Sequence, residues 1–213
     1  MFKFSSNEIR DLIISFFVIS LAFAILYSRD NFSMILYILP MVMVGVGLGF
    51  ILHEIAHKIT AMRYGYWAEF KAWILGLFIA LISPLFGFIF AAPGAVYIYG
   101  EYMTEKENGI ISLMGPLTNI VLAMIFLLIL YIITMTNSIV GTIPDLEVIN
   151  ILKMTFLLGF KINSFLALFN LIPFSILDGA KIFRWNPLIW LAIAALAGIM
   201  VLFSFTGIPF IEI

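Results

Sequence analysis

Apolar residues run through this chain in six long blocks parted by short polar links. Leu12–Tyr27, Met34–Ala61, Gly109–Thr134, Ile151–Ile172 and Pro187–Phe205 each come close to or exceed the roughly 17 to 25 residues that a helix needs to cross a bilayer. The first is the shortest. It follows Lys3 and Arg10 and closes on Tyr27-Ser28-Arg29-Asp30 with no small-residue cleavage site, so it is expected to stay in place as a span or signal anchor. The remaining block, Ala72–Tyr99, is interrupted by Pro84, Pro93 and several glycines, which suits a broken or re-entrant path. Within it Ala95–Tyr99, bounded by Gly94 and Gly100, reads as a strand. The pattern predicts an all-α polytopic membrane protein of about five to six spanning helices with a small membrane-embedded strand or re-entrant element. We expect a single unit over 1–213, with a core at 34–184 and peripheral spans at 12–27 and 187–205.

Composition agrees with that class. Of 213 residues, 64% are hydrophobic and 11% charged, where a soluble domain carries about 25% charged residues. A net charge of −1 gives no reason to expect nucleic acid as a partner. The chain has no cysteine, which excludes disulfides and thiolate metal sites. Lys3, Arg10, Lys58, Arg63, Lys71, Lys106, Lys181 and Arg184 all fall on one side if Ala72–Tyr99 does not cross; Arg29 falls on the other. The positive-inside bias then makes the N-terminus cytoplasmic. Lys161, inside the fifth block, is expected to snorkel to the external interface.

Both histidines of the chain lie in His53-Glu54-Ile55-Ala56-His57, near the end of the second block. On a helix, positions i and i+4 share a face, so the two imidazoles can grip one metal ion, and the adjacent glutamate can take a proton from water there. Ionisable groups within a span are costly and mark function by default. Gly45 and Gly49 continue the ridge toward His53 and allow a close neighbour. In Phe169-Asn170-Leu171-Ile172-Pro173-Phe174-Ser175-Ile176-Leu177-Asp178-Gly179, Pro173 should end the helix and let Asp178 turn back as a third ligand, which leaves one position open for water. That arrangement requires Ala72–Tyr99 to enter and leave on one side; otherwise Asp178 would emerge about 30 Å from the histidines. Asn170 could stabilise an oxyanion or position a substrate backbone. Gly115-Pro116-Leu117-Thr118-Asn119 allows close packing and a local break, with Asn119 an amide at membrane depth, either helix–helix glue or an accessory to the site.

The three elements His53-Glu54-x-x-His57, Gly115-Pro116-x-x-Asn119 and Asn170-x-x-Pro173 with Asp178-Gly179, in this order, resemble the site-2 protease family of intramembrane zinc metalloproteases. The resemblance covers about Gly49 to Arg184. It implies that His53, His57 and Asp178 hold one Zn(2+) per chain, that Glu54 is the catalytic base and that Asn170 contacts substrate or oxyanion. The strand near Ala95–Tyr99 is similar to the family's membrane-embedded sheet, which puts Val96 and Tyr97, with Asn119, among candidate substrate contacts. Ser175-Ile176-Leu177 departs from the family, standing where relatives often have a second proline.

The expected activity is therefore hydrolysis of peptide bonds in or near transmembrane segments of membrane-protein substrates, in regulated intramembrane proteolysis. The substrate segment and the lipid bilayer are the expected partners, and a prokaryotic plasma membrane with a cytoplasmic active-site entrance is the expected location. Two other readings stay open. A metal or proton transporter would use Glu54, Asp178 and Lys161 as a pathway. A non-catalytic scaffold would hold a structural metal.

Overall fold

A computed structural model of the chain describes residues 3–100, 102–140, 146–174 and 176–206. Among them, five helices are long and apolar enough to cross a membrane. The protein is an all-α polytopic membrane protein with one small sheet.

The first span, α1 (Ser6–Tyr27), starts earlier than the apolar block, because Ser5 caps it by accepting the Glu8 amide at 3.1 Å. Glu8 and Asp11 thus belong to the helix rather than to a polar flank. After a 3-10 turn at Phe32–Met34, α2 (Ile35–Val46) passes through a π-helical turn, Gly47–Ile51, into α3 (Leu52–Arg63). The three form one run, Phe32–Arg63.

The chain then forms β1 (Trp67–Ala72), a short apolar helix α4 (Ile74–Ile82), a 3-10 turn at Ser83–Phe86, and β2 (Gly94–Tyr99). β1 and β2 pair antiparallel, with Phe70 opposite Val96 and Lys71 opposite Ala95. The expected strand is present. Its partner β1 was not expected, although Trp67-Ala68-Glu69-Phe70-Lys71-Ala72 alternates polar and apolar: Ala68 and Phe70 are buried, Trp67 and Lys71 exposed.

Between the strands the chain makes an excursion and returns. Ala72 sits against Asp11 near the start of α1, whereas Gly87 lies so near Arg29, past its other end, that a Cβ there would meet the guanidinium at 2.3 Å. Pro93 then comes back to accept the Trp73 amide at 2.7 Å, closing the loop beside the sheet. The Ala72–Tyr99 block is re-entrant in path, leaving the sheet and returning to it along α1.

The third span, α5 (Glu105–Val140), and α6 (Leu146–Asn170) pack along each other. Helix continues past the expected boundary at Thr134, and part of the expected polar link after it, 141–145, lies outside the described residues. No break occurs at Gly115-Pro116, where α5 runs on through Pro116. α6 ends at Asn170 as Pro173 requires; Ser175 lies outside the described residues. α7 (Asp178–Trp185) opens on the predicted ligand, and α8 (Pro187–Phe205) follows. Gly179 permits this return, since a Cβ there would stand 2.2 Å from the Leu171 carbonyl oxygen. Trp190 Nε1 donates to the same carbonyl at 2.7 Å and holds α8 to the unwound turn.

Candidate metal centre

His53 and His57 stand one turn apart on α3, both buried. Each imidazole is fixed from behind. His57 Nδ1 donates to the Ile111 carbonyl at 2.8 Å, on α5 one turn before Gly115-Pro116. His53 Nδ1 lies 2.6 Å from Asn119 Oδ1. Asn119 is oriented unambiguously, because its Nδ2 donates to the Gly49 carbonyl and to Asn163 Oδ1, each at 3.1 Å. Asn163 in turn donates through Nδ2 to the carbonyls of Gly159 at 2.8 Å and Gly45 at 3.2 Å. Both amides are fully buried, and all four of their N–H groups and both oxygens are used. The π-turn supplies the Gly49 carbonyl, which is consistent with π-turns gathering at functional sites.

This bonding sets the chemistry on the other side of the rings. With both Nδ1 atoms donating to pure acceptors, each neutral imidazole presents a lone pair at Nε2. The two Nε2 atoms are 3.0 Å apart. Asp178 Oδ2 reaches them at 3.2 and 3.1 Å. Three lone-pair donors therefore converge with no proton between them, which is repulsive unless a cation sits among them. A tetrahedral ion with ligands at about 2.0–2.2 Å keeps them about 3.3 Å apart, so the residues fit zinc. Gly115 keeps the space in front of the rings open: a Cβ would lie 2.4 Å from His57 Nε2 and 2.5 Å from His53 Nε2.

Lys181 Nζ lies 3.6 Å from Asp178 Oδ1, the oxygen turned away from the histidines.

The cluster opens on a cavity of about 260 Å³ lined by Glu54, Asn170, Lys181 and the β2 residues Gly94 to Ile98. Asn170 sits at its wall and returns one amide proton to the Leu166 carbonyl at 2.9 Å. Val96 and Tyr97 both line the cavity, with side chains on opposite faces of the sheet. Asn119 does not line it but stands behind His53. Lys161 is half-buried on α6, away from the cavity lining. Asn163, Lys181, the Ile111 carbonyl and the carboxylates of α1 were not singled out as site residues by the sequence motifs. An amide within the apolar block Ile151–Ile172, on the same helix face as Asn170, was the signal available for Asn163.

A Methanocaldococcus jannaschii protein, provisionally named a zinc metalloprotease, is 44% identical over 191 residues, covering 89% of this chain and 90% of the relative. A Mycolicibacterium smegmatis protein with the same kind of provisional name is 33% identical over 101 residues, 41% of this chain and 38% of the relative. No family model matches the chain, and no solved structure does.

Proposed function

The chain belongs to the family of these zinc metalloproteases, and from that premise we propose that it is an intramembrane peptidase of the site-2 type, cutting peptide bonds in or near the membrane segments of other proteins. The observation that carries this reading is the convergence of three metal-binding lone pairs beside Glu54, in a cavity walled by spanning helices. His53, His57 and Asp178 would hold one zinc ion. When bound, zinc supplies Lewis acidity, lowering the pKa of a coordinated water and polarising a carbonyl.

The protein's own groups do the rest. Glu54 takes the proton of the water that adds to the scissile carbonyl carbon and gives it to the departing amide nitrogen as the C–N bond breaks. Asn170 has a second amide proton available to the developing oxyanion or the substrate backbone. A helical peptide bond is screened by its own hydrogen bonds, so the substrate must unwind, and the cavity-facing edge of β2 can hold it extended by strand addition. In this reading the membrane is a prokaryotic plasma membrane, and the Lys and Arg bias supports an entrance on its cytoplasmic side.

Purified protein in proteoliposomes with a transmembrane peptide tests the reading. Cleavage should disappear with a chelator, return with zinc, and disappear in Glu54→Gln while zinc is retained. Full proteolysis by Glu54→Gln would remove the base from the mechanism. Bound zinc with no cleavage of any transmembrane substrate would favour the scaffold.

A further inference from the structure

Among the described residues the sheet has two strands and so two outer edges, and the structure treats them differently. The edge of β1 is closed by acids from the first turns of α1. The Phe70 amide donates to Glu8 Oε1 and the Ala72 amide to Asp11 Oδ2, each at 3.1 Å. Unpaired edge groups are otherwise a template for any extended chain.

That bonding also fixes which groups the other edge offers. In an antiparallel pair, residues alternate between turning both backbone groups toward the partner strand and turning both away. Phe70 and Ala72 turn theirs to α1, so their partners Val96 and Gly94 turn theirs off the far edge of β2, and Ile98 follows by the same alternation. Trp73, whose amide reaches the Pro93 carbonyl at 2.7 Å, continues the pattern from the inward-turned set. The far edge is the one that meets the metal-site cavity. Gly94 to Ile98 line that cavity consecutively, and since side chains alternate between faces, only an edge presents consecutive residues.

Glu8 has a second contact. Its Oε2 pairs with the ammonium of Lys58, the residue after His57, and both side chains are 1% exposed. One carboxylate therefore joins the closed edge of the sheet to the helix that carries both histidines.

We propose that Glu8 and Asp11 are positioning residues that close one sheet edge and set the other against the histidines, so that an extended substrate docks on the Gly94, Val96 and Ile98 backbone in a single register. This deepens the peptidase reading and rests on it. Loss of the clamp should let the sheet, and the substrate on it, slip by two residues, the smallest shift that keeps each side chain on its face.

Two variants test the idea. Asp11→Ala opens the edge at Ala72, and the double variant Glu8→Leu with Lys58→Met removes the acceptor of the Phe70 amide and both buried charges together. With a transmembrane peptide that the wild type cleaves, each should keep full zinc stoichiometry, raise KM about tenfold with little change in kcat, and yield additional product ends two residues from the main cut. Unchanged KM and product ends would overturn the proposal. So would zinc content and kcat falling together, the result of a purely structural role.

A second measurement does not require cleavage. The chain has no cysteine, so single cysteines can be placed in a Glu54→Gln background at Tyr97 on β2 or Glu69 on β1. With a mild added oxidant to take up the two electrons, a transmembrane peptide with one cysteine should form a disulfide at 97 and not at 69, with capture at 69 appearing once Asp11→Ala is added. Capture at 69 with both carboxylates intact would defeat the positioning role. Wild-type protein that holds zinc and cleaves nothing would defeat the peptidase reading, and failure to capture at 97 as well would defeat both.

Discussion

Each histidine is held at Nδ1 by an acceptor that cannot give up a proton, and this makes Nε2 a ligand atom. Asn119 does this for His53, and Asn163 fixes Asn119. Replacing Asn119 with Ala leaves Asn163 Oδ1 and the His53 N–H without this partner in a buried site, at about 1–3 kcal/mol for each unsatisfied group, and takes one of two donors from the Gly49 carbonyl. Such partners of metal ligands typically account for 10–100-fold in metal affinity. Both Asn119→Ala and Asn163→Ala should therefore weaken zinc by roughly that factor in a competition titration against a chromophoric chelator. Wild-type affinity in both would show that the amides do not orient the ligand. Gly115→Ala makes a sharper case, since its methyl would stand 2.4 Å from His57 Nε2 on a ring that cannot turn aside. It should lose zinc altogether, as measured by elemental analysis of the purified protein.

At the scale of elements, the π-turn is what brings a backbone carbonyl to Asn119, and it does so through small residues. A Cβ at Gly49 would come within 2.7 Å of Asn163 Oδ1, and one at Gly45 within 3.0 Å of the Gly159 Cα. Gly49→Ala should displace the Asn163 amide, lowering both the thermal midpoint and the zinc affinity, whereas substitution at Gly198, where a Cβ meets nothing within 4 Å, should change neither. Equal behaviour of the two variants would refute this account of the turn.

The elements also differ in how well the sequence announced them. His53 and His57 were legible because i, i+4 spacing on a helix dictates a shared face, and Asp178 because Pro173 forces the helix to stop. The strand β1 was hidden by its charged positions, Glu69 and Lys71, which resemble an interfacial link. Glu8 and Asp11 were hidden in the same way, as they look like the polar flank of an apolar block that begins at Leu12. Neither the π-turn nor the Asn119–Asn163 pairing could be read locally, because the paired amides meet only where the π-turn, α5 and α6 come together.

On the scale of the whole molecule, the re-entrant path between the strands is what allows Asp178 to meet the histidines. It also commits the topology: Lys106 and Arg29, both exposed, must lie on opposite sides of the membrane. In right-side-out vesicles a membrane-impermeant maleimide should label Arg29→Cys and spare Lys106→Cys until the vesicles are permeabilised. The reverse pattern would invert the orientation, and equal labelling of both would contradict the re-entrant path.

Zinc-edge X-ray absorption on the purified protein bears most directly on the three converging lone pairs. The spectrum should show one zinc per chain in a four-coordinate nitrogen and oxygen shell at about 2.0–2.1 Å, with the imidazole scattering of two histidines. Asp178→Ala should retain the imidazole signature but bind zinc far more weakly. A wild-type shell lacking imidazole, or an Asp178→Ala protein with unaltered spectrum and affinity, would contradict the site.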